Sequence, residues 1–281
     1  MEKVDLHLHS NNSDGSDNIN ELIKYIIENN IKIFSLTDHD TVAGCEKMEK
    51  ATPDSVKYIK GIELTCTTED IKCHILGYGC NPKNETLLSL IEKGKILRKK
   101  KLDTRIEYLK NVWNIEFTKE ELDWLATIPS VVKTHLGVIL VKRGLAKNNL
   151  EAMSKYLDDC KTGNTRFTIP EAINAITASG GIPIWAHPLG GEGETHITKE
   201  EFLRQLKKMI KFGIKGLECY YSRYNKKEID LLINTAKENN LLISAGSDYH
   251  GKNKTVQIGR LCTEDIEFNY DDITLLKALG Y

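Results

Sequence analysis

Apolar Val4, Leu6 and Leu8 alternate with polar Asp5, His7 and His9, the period-two pattern of a strand, so His7 and His9 share one face. A polar stretch over 11–17 follows. Asn18 and Glu21 then stand at the spacing of a capping box, ahead of an apolar face at Ile19, Leu22, Ile23, Ile26 and Ile27. Next come a strand over 31–36 that closes on Thr37-Asp38-His39-Asp40 and a short helix over 42–50. A strand over 56–64 carries Glu63 near its end, and a strand over 71–78 carries His74 and pairs with it as a hairpin.

From about 84 to 163 only helical periodicity is present. A long helix covers 87–113, Thr118 and Glu121 cap another, and two more cover 130–143 and 150–157. Alternation resumes with a helix over 168–179, Pro170 in its first turn, and a strand over 181–186 ending at His187-Pro188. Thr198 and Glu201 cap a helix to Phe212. A strand over 214–220, a helix over 226–238, a strand over 241–245 and a last helix over 273–279 follow. This alternation predicts a parallel sheet, open or closed into a barrel, interrupted by an all-helical insertion.

The chemistry gathers at the strand ends. His7, His9, His39, Glu63, His187, Asp248 and His250 each fall at or just past the end of a predicted strand, and in a barrel those ends share one rim. Asp14, in the first turn, and His74, beside Glu63, reach the same rim. A lone His-x-His is also what the wet face of a strand carries, and core histidines plus a few caps are the bland alternative. Nine imidazole and carboxylate groups are too many for one ion, but suit two or three borderline or hard cations with positions left open for water and substrate.

Composition narrows the partners. The 281 residues suffice for one large α/β domain or a domain plus an insertion. Lys plus Arg number 39 and Asp plus Glu 40, a formal net charge of -1, so no global basic field points to nucleic acid. Seven cysteines without a Cys-x-x-Cys pair read as small buried hydrophobes in a reducing compartment. Neither a leader pattern nor an apolar run of membrane-spanning length is present, so a soluble, cytoplasmic protein with no membrane partner is expected. No motif fixes the oligomeric state.

The ordered motifs His7-x-His9, Asp14-Gly15, Thr37-Asp38-His39-Asp40, Gly61-Ile62-Glu63, His74, Ala186-His187-Pro188 and Ser247-Asp248-Tyr249-His250-Gly251 resemble the PHP (polymerase and histidinol phosphatase) family. The likeness is to its stand-alone phosphoesterases with a small helical insertion: nucleoside 3′,5′-bisphosphate phosphatases, a related RNA-trimming exonuclease, and cyclic phosphodiesterases of phosphonate catabolism. It implies an α/β fold, a distorted seven-stranded TIM-like barrel over 1–82 and 164–281 with a helical insertion over 83–163. It also implies a trinuclear site. Carried over position by position, His7, His9, Glu63 and Asp248 would hold the first metal, and Asp14, His39 and His250 the second. Glu63, His74 and His187 would hold the third, with Glu63 bridging; none of these positions is substituted.

The implied activity is hydrolysis of a small phosphorylated metabolite: a nucleoside 3′,5′-bisphosphate, a nucleotide or a sugar cyclic phosphate. A hydroxide bridging two to three divalent ions (Mn, Fe or Zn) would attack phosphorus, with the general acid unassigned. Two other classes compete: a nucleic-acid-processing PHP exonuclease or nucleic-acid-associated module, and an amidohydrolase-type C–N hydrolase. Nucleic acid is expected at most as a short oligonucleotide.

Substrate contacts leave weaker signals. Lys93, Lys95, Arg98, Lys99, Lys100, Lys101 and Arg105 crowd one helix and read as a solvated face, from which one or two, Arg98 among them, lean over the site. Lys133-Thr134-His135 stands where relatives carry Arg-Pro-His. A lysine there holds phosphate as a point charge and not as a fork, which predicts a weaker preference for nucleoside bisphosphates. Arg223, after Glu218-Cys219-Tyr220-Tyr221, reads either as a phosphate clamp or as a surface arginine. Trp113, Trp124 and Trp185 read as core, with a base-stacking face on Trp113 or Trp124 as the alternative.

Overall fold

Polar caps start several helices where the sequence places them. Asn18 and Glu21 form a reciprocal capping box on α1 (Ile19–Glu28), and Thr118 with Glu121 and Thr168 with Glu171 do the same further along. The computed structural model describes residues 3–163, 166–264 and 270–281. In chain order, β1 (Lys3–Leu8), α1, β2 (Ile31–Leu36), α2 (Cys45–Ala51), β3 (Lys57–Thr67) and β4 (Lys72–Tyr78) come first. The helices α3 (Glu85–Trp113), α4 (Lys119–Thr127), α5 (Lys133–Lys142) and α6 (Asn149–Tyr156) follow. Then come β5 (Phe167–Thr168), α7 (Ile169–Ala178), β6 (Ile182–Trp185), α8 (Lys199–Phe212), β7 (Gly216–Tyr221), α9 (Lys226–Glu238), β8 (Leu242–Gly246) and α10 (Thr274–Ala278).

The sheet runs β1-β2-β3-β4-β6-β7-β8, and its ends nearly meet. His9 N donates to Tyr249 O and Asp248 N to His7 O, both at 2.9 Å, so the first and last strands are joined just past their C-terminal ends. The result is a distorted seven-stranded α/β barrel. All neighbouring pairs along this path are parallel except β3–β4 and β4–β6, because β4 runs against both of its neighbours. Inside, Leu6, Ile62, Leu64, Tyr78 and Leu217 are fully buried, and each such side chain contributes about 1.5–3 kcal/mol by leaving water.

Three features depart from the sequence reading. β3 continues to Thr67, since its last residues pair with β4, and Cys66 and Thr67 also pair with β5, a two-residue strand with no periodicity of its own. The helical segment is not cleanly separate. α5, α6 and the far end of α3 share a cluster around Leu109, Leu136, Leu140 and Tyr156, whereas Leu87, Leu90 and Ile91 of α3 belong to the barrel core. A Cβ on Gly94 would meet the Phe167 ring at 2.6 Å, so this glycine lets α3 lie against β5. Lastly, Trp113 and Trp124 are 39% and 38% exposed and not core; each leans edge-on against one neighbour, Tyr156 and His135 respectively. Trp185 is buried as expected. Among the described residues no helix is long and apolar enough to cross a membrane.

Candidate metal centre

His7 lies on β1 and His9 just past its end, and both are fully buried. The turn that follows, which carries Asp14, is shaped by Asp38. That carboxylate accepts hydrogen bonds from the Ser10 amide and hydroxyl, each at 2.7 Å, and from the Ser13 hydroxyl at 2.6 Å. His39 follows β2, Glu63 lies within β3, His187 follows β6, and Asp248 and His250 follow β8. The reversed direction of β4 brings its first residues to the same rim, with His74 opposite Thr65. His187 and Asp248, with φ of 28° and 61°, and Asp40, with φ of 51°, have left-handed backbones. Each costs about 1–3 kcal/mol in a non-glycine residue, and such bends leave no trace in strand periodicity.

Glu63 is the hub. Its Oε2 lies 3.3 Å from His7 Nε2, 3.2 Å from His9 Nε2 and 3.0 Å from His39 Nδ1. Its Oε1 lies 3.2 Å from His74 Nδ1 and 3.3 Å from His187 Nε2, and those two nitrogens are 3.3 Å apart. Asp248 Oδ1 lies 3.5 Å from His7 Nε2 and 3.4 Å from His9 Nε2, completing a group of His7, His9, Glu63 and Asp248. Asp14 gathers His250 at 3.2 Å, His9 at 3.6 Å and His39 at 3.8 Å into a second group. Donor atoms of His39, Glu63 and His74 also lie close enough to share an ion, as do those of His74, His187 and Glu194.

These groups fit divalent cations. His7 Nε2, both ring nitrogens of His9, Asp14 Oδ1, His39 Nδ1, Glu63 Oε2 and His250 Nε2 are buried without a hydrogen-bond partner among the described residues. Unpaired buried polar atoms are costly, and one cation satisfies several at once. The donors are nitrogen and oxygen, which suits borderline to hard metals. Charge balance points the same way. Burial opposes protonation of His7, yet the carboxylates of Glu218, Glu63 and Asp248 outweigh it and raise its pKa well above the ordinary value. His9, also against burial, is raised to about 9 by Asp248 and Glu63. His39 is driven well below the usual histidine range by burial, with His9 and His74 adding to it. The carboxylates thus demand positive charge that crowded imidazoles supply poorly.

A family model for the PHP domain matches residues 5–265. This chain belongs to the PHP family. It is 29% identical to a 5′-3′ exoribonuclease of Haemophilus influenzae, over 92% of this chain and 93% of that one. A 3′,5′-nucleoside bisphosphate phosphatase of Chromobacterium violaceum is 24% identical, over 89% of this chain and 88% of the relative. The solved structure of a predicted metal-dependent phosphoesterase from Bifidobacterium adolescentis shares the fold with a TM-score of 0.83 at 23% identity, covering 100% of this chain and 97% of that one. The fold and the enzyme class implied by the motifs, a metal-dependent phosphoric ester hydrolase on a PHP barrel, both stand.

Around these donor groups lie residues that no motif along the chain marks. Glu218 accepts from His7 Nδ1 and from the His187 amide, each at 2.8 Å, which leaves His7 Nε2 free to face the centre. Asp248 Oδ2 accepts from Lys254 Nζ at 2.8 Å and the Tyr221 hydroxyl at 3.0 Å, so Oδ1 alone turns inward. Glu194 lies 3.2 Å from His187 Nδ1. Glu218 and Tyr221 belong to one stretch of β7 whose tyrosines flagged it, but their partners lie on other strands.

The expected substrate contacts separate into two kinds. His135 is buried beside the first turn; its Nδ1 accepts from the Val132 amide at 2.9 Å, and Ser130 N donates to Asn12 O at 3.2 Å, so the helical segment leans on the Asp14 loop. Arg98 pairs with Asp40, next to His39, and donates to Thr65 Oγ1 at 3.2 Å. Lys133 instead pairs with Asp158, which belongs to none of the donor groups. Arg223 is held by Glu192 at 2.5 Å and Thr255 at 3.0 Å, above the β7 end.

Proposed function

We propose that this chain hydrolyses phosphate esters of nucleotide-like substrates, a nucleoside 3′,5′-bisphosphate or the end of a short oligoribonucleotide, at a centre of two to three divalent ions. His7, His9, Glu63 and Asp248 would hold one ion, Asp14, His39 and His250 a second, and His74 and His187 with Glu63 a third. The observation that carries this reading is the sharing of both Glu63 oxygens among five histidines. Bound Mn, Fe or Zn ions would supply Lewis-acid polarisation of the phosphoryl group and an activated water. The chain's own residues set direction and access. Glu218 fixes the His7 ring, Lys254 and Tyr221 fix the Asp248 carboxylate, and Arg98 and His135 border the approach. His7, His9 and Glu63 are sealed from solvent, whereas the side chains of His74, Asp14 and His39 are 15%, 11% and 10% exposed, so a phosphate ester reaches the centre from their side. Seven free cysteines, all but Cys160 buried, support a reducing, cytoplasmic setting.

The test is a parallel assay of phosphate esters, 5′-phosphorylated oligoribonucleotides and amides after loading with Mn. Hydrolysis of the phosphate substrates should vanish with a chelator and return with metal. Hydrolysis that survives the chelator, or amide cleavage alone, would overturn the reading.

A further inference from the structure

Beside the centre, α3 and the β3–β4 pair border a groove that the chemistry above does not use. Its first part, a cleft of about 480 Å³, is lined by His187 and Glu194 together with Lys72 and Arg166. A second cleft, of about 850 Å³, shares Lys72 and Arg166 with the first and continues past Thr67 to Lys101 and Arg105 of α3. The shared residues make one path from the edge of the ligand set to the helix.

Cations dominate the far part of that path. The carboxylates that act on Lys101 and Arg105 are Asp40 and Asp158, and each is already paired, with Arg98 and Lys133 respectively. Lys101 and Arg105 are half-buried, and Arg105 Nε is buried with no hydrogen-bond partner among the described residues. Burial and the guanidiniums of Arg105, Arg166 and Arg98 push the Lys101 ammonium down to about 7. Arg105 is lowered to about 10, mainly by burial. The single carboxylate among the described residues bordering the second cleft, Glu69, is exposed. Like charges drawn out of water with an unsatisfied donor are unfavourable until an anion joins them.

We propose that Lys101, Arg105 and Arg166 form a second phosphate subsite, which holds a phosphate of the substrate other than the one cleaved at the metal centre. This rests on the phosphoesterase reading and narrows its substrate class to molecules with two phosphates separated along their length. A nucleoside bisphosphate and a 5′-phosphorylated oligoribonucleotide both qualify; a simple aryl phosphate has nothing to place there. Arginine engages two phosphate oxygens as a fork and lysine adds a point charge.

Binding to the full chain is measured with chelator present, so that no turnover occurs. The probes are adenosine 3′,5′-bisphosphate, a labelled 5′-phosphorylated tetraribonucleotide and phenyl phosphate. Lys101→Ala and Arg105→Gln should each raise Kd about tenfold for one or both of the first two probes and leave phenyl phosphate within about twofold. A loss confined to the bisphosphate or to the tetraribonucleotide identifies which source supplies the phosphate. Unchanged Kd for both, or an equal loss for phenyl phosphate, overturns the subsite. Arg105→Lys, which keeps the charge, serves if Arg105→Gln does not fold, and should weaken the same probes by a smaller factor. Because affinity is read without turnover, a failure of the metal-loaded enzyme to hydrolyse any ester overturns the phosphoesterase reading separately.

Discussion

Glu218 holds His7 from behind: its Oε1 accepts from His7 Nδ1 at 2.8 Å, while its Oε2 takes the backbone N–H of His187, also at 2.8 Å. One carboxylate on β7 therefore fixes an imidazole on β1 and the turn after β6. Glu218→Gln has one oxygen and one amide nitrogen, and cannot accept both bonds at once. Metal affinity should fall about 10–100-fold with the fold retained, as seen by isothermal titration and circular dichroism. Unaltered metal affinity in a folded variant would show that the His7 ring needs no such support.

Glu63→Ala should be among the most damaging single changes. It removes an acceptor that five histidines share, and leaves His7 and His9 with only Asp248 opposite their Nε2 atoms. Elemental analysis should find less bound metal, and kcat should drop by about three orders of magnitude or more. Normal metal content with a near-normal rate would remove Glu63 from the bridging position.

Anion binding in the α3 groove should depend on pH through Lys101. Its ammonium, lowered to about 7, faces Arg98 and Arg105 on its own helix, Arg166 ahead of β5, and Asp40 after β2. The group is charged below that value and neutral above it. Affinity for an anion is thus full on the acid side and declines as pH rises through 7. With sulfate as a probe that does not itself titrate in this range, Kd should rise about tenfold from roughly pH 6 to roughly pH 8. In Lys101→Ala this part of the pH dependence should be gone; if it persists, another group carries it.

Gly246 closes the last strand against the first. A Cβ there would lie 2.2 Å from His7 Cβ and 2.8 Å from Glu218 Oε1. Gly246→Ala must push β1 or β8 aside, costing about 1–3 kcal/mol in stability and displacing His7. A lower Tm together with weaker metal binding is expected; a Tm loss with unaltered metal affinity would mean the strands yield without moving the ring.

Much of this centre was legible along the chain because strand ends in a barrel converge. Period-two alternation located the strands, and the histidines and carboxylates at or just past their ends, His7, His9, Glu63, His187, Asp248 and His250, stood out as candidates. His74 required the additional inference of a hairpin. The contacts of Glu218, Lys254 and Glu194 were not legible, since their partners lie on other elements, and the basic run that holds Lys101 and Arg105 gave no sign that the two line a cleft with Arg166. β5 escaped notice for a related reason: two residues carry no period. Lys133 shows the reverse, a motif position whose partner in space, Asp158, the motif does not mention.

The seam between β1 and β8 also orders events in the life of the molecule. His7 and His9 leave the ribosome first among the candidate ligands, and Asp248 and His250 last. A nascent chain can thus present histidines to a passing ion long before the carboxylate that completes the set exists beside them. Ion capture by the group that includes Asp248 would therefore await the folded barrel, and a proteolytic cut that removes the segment after β8 should abolish capture by that group and barrel closure in the same stroke. Conversely, an ion held by both ends would act as a clasp on the whole chain, because it ties positions whose loop closure is entropically among the most expensive in the fold.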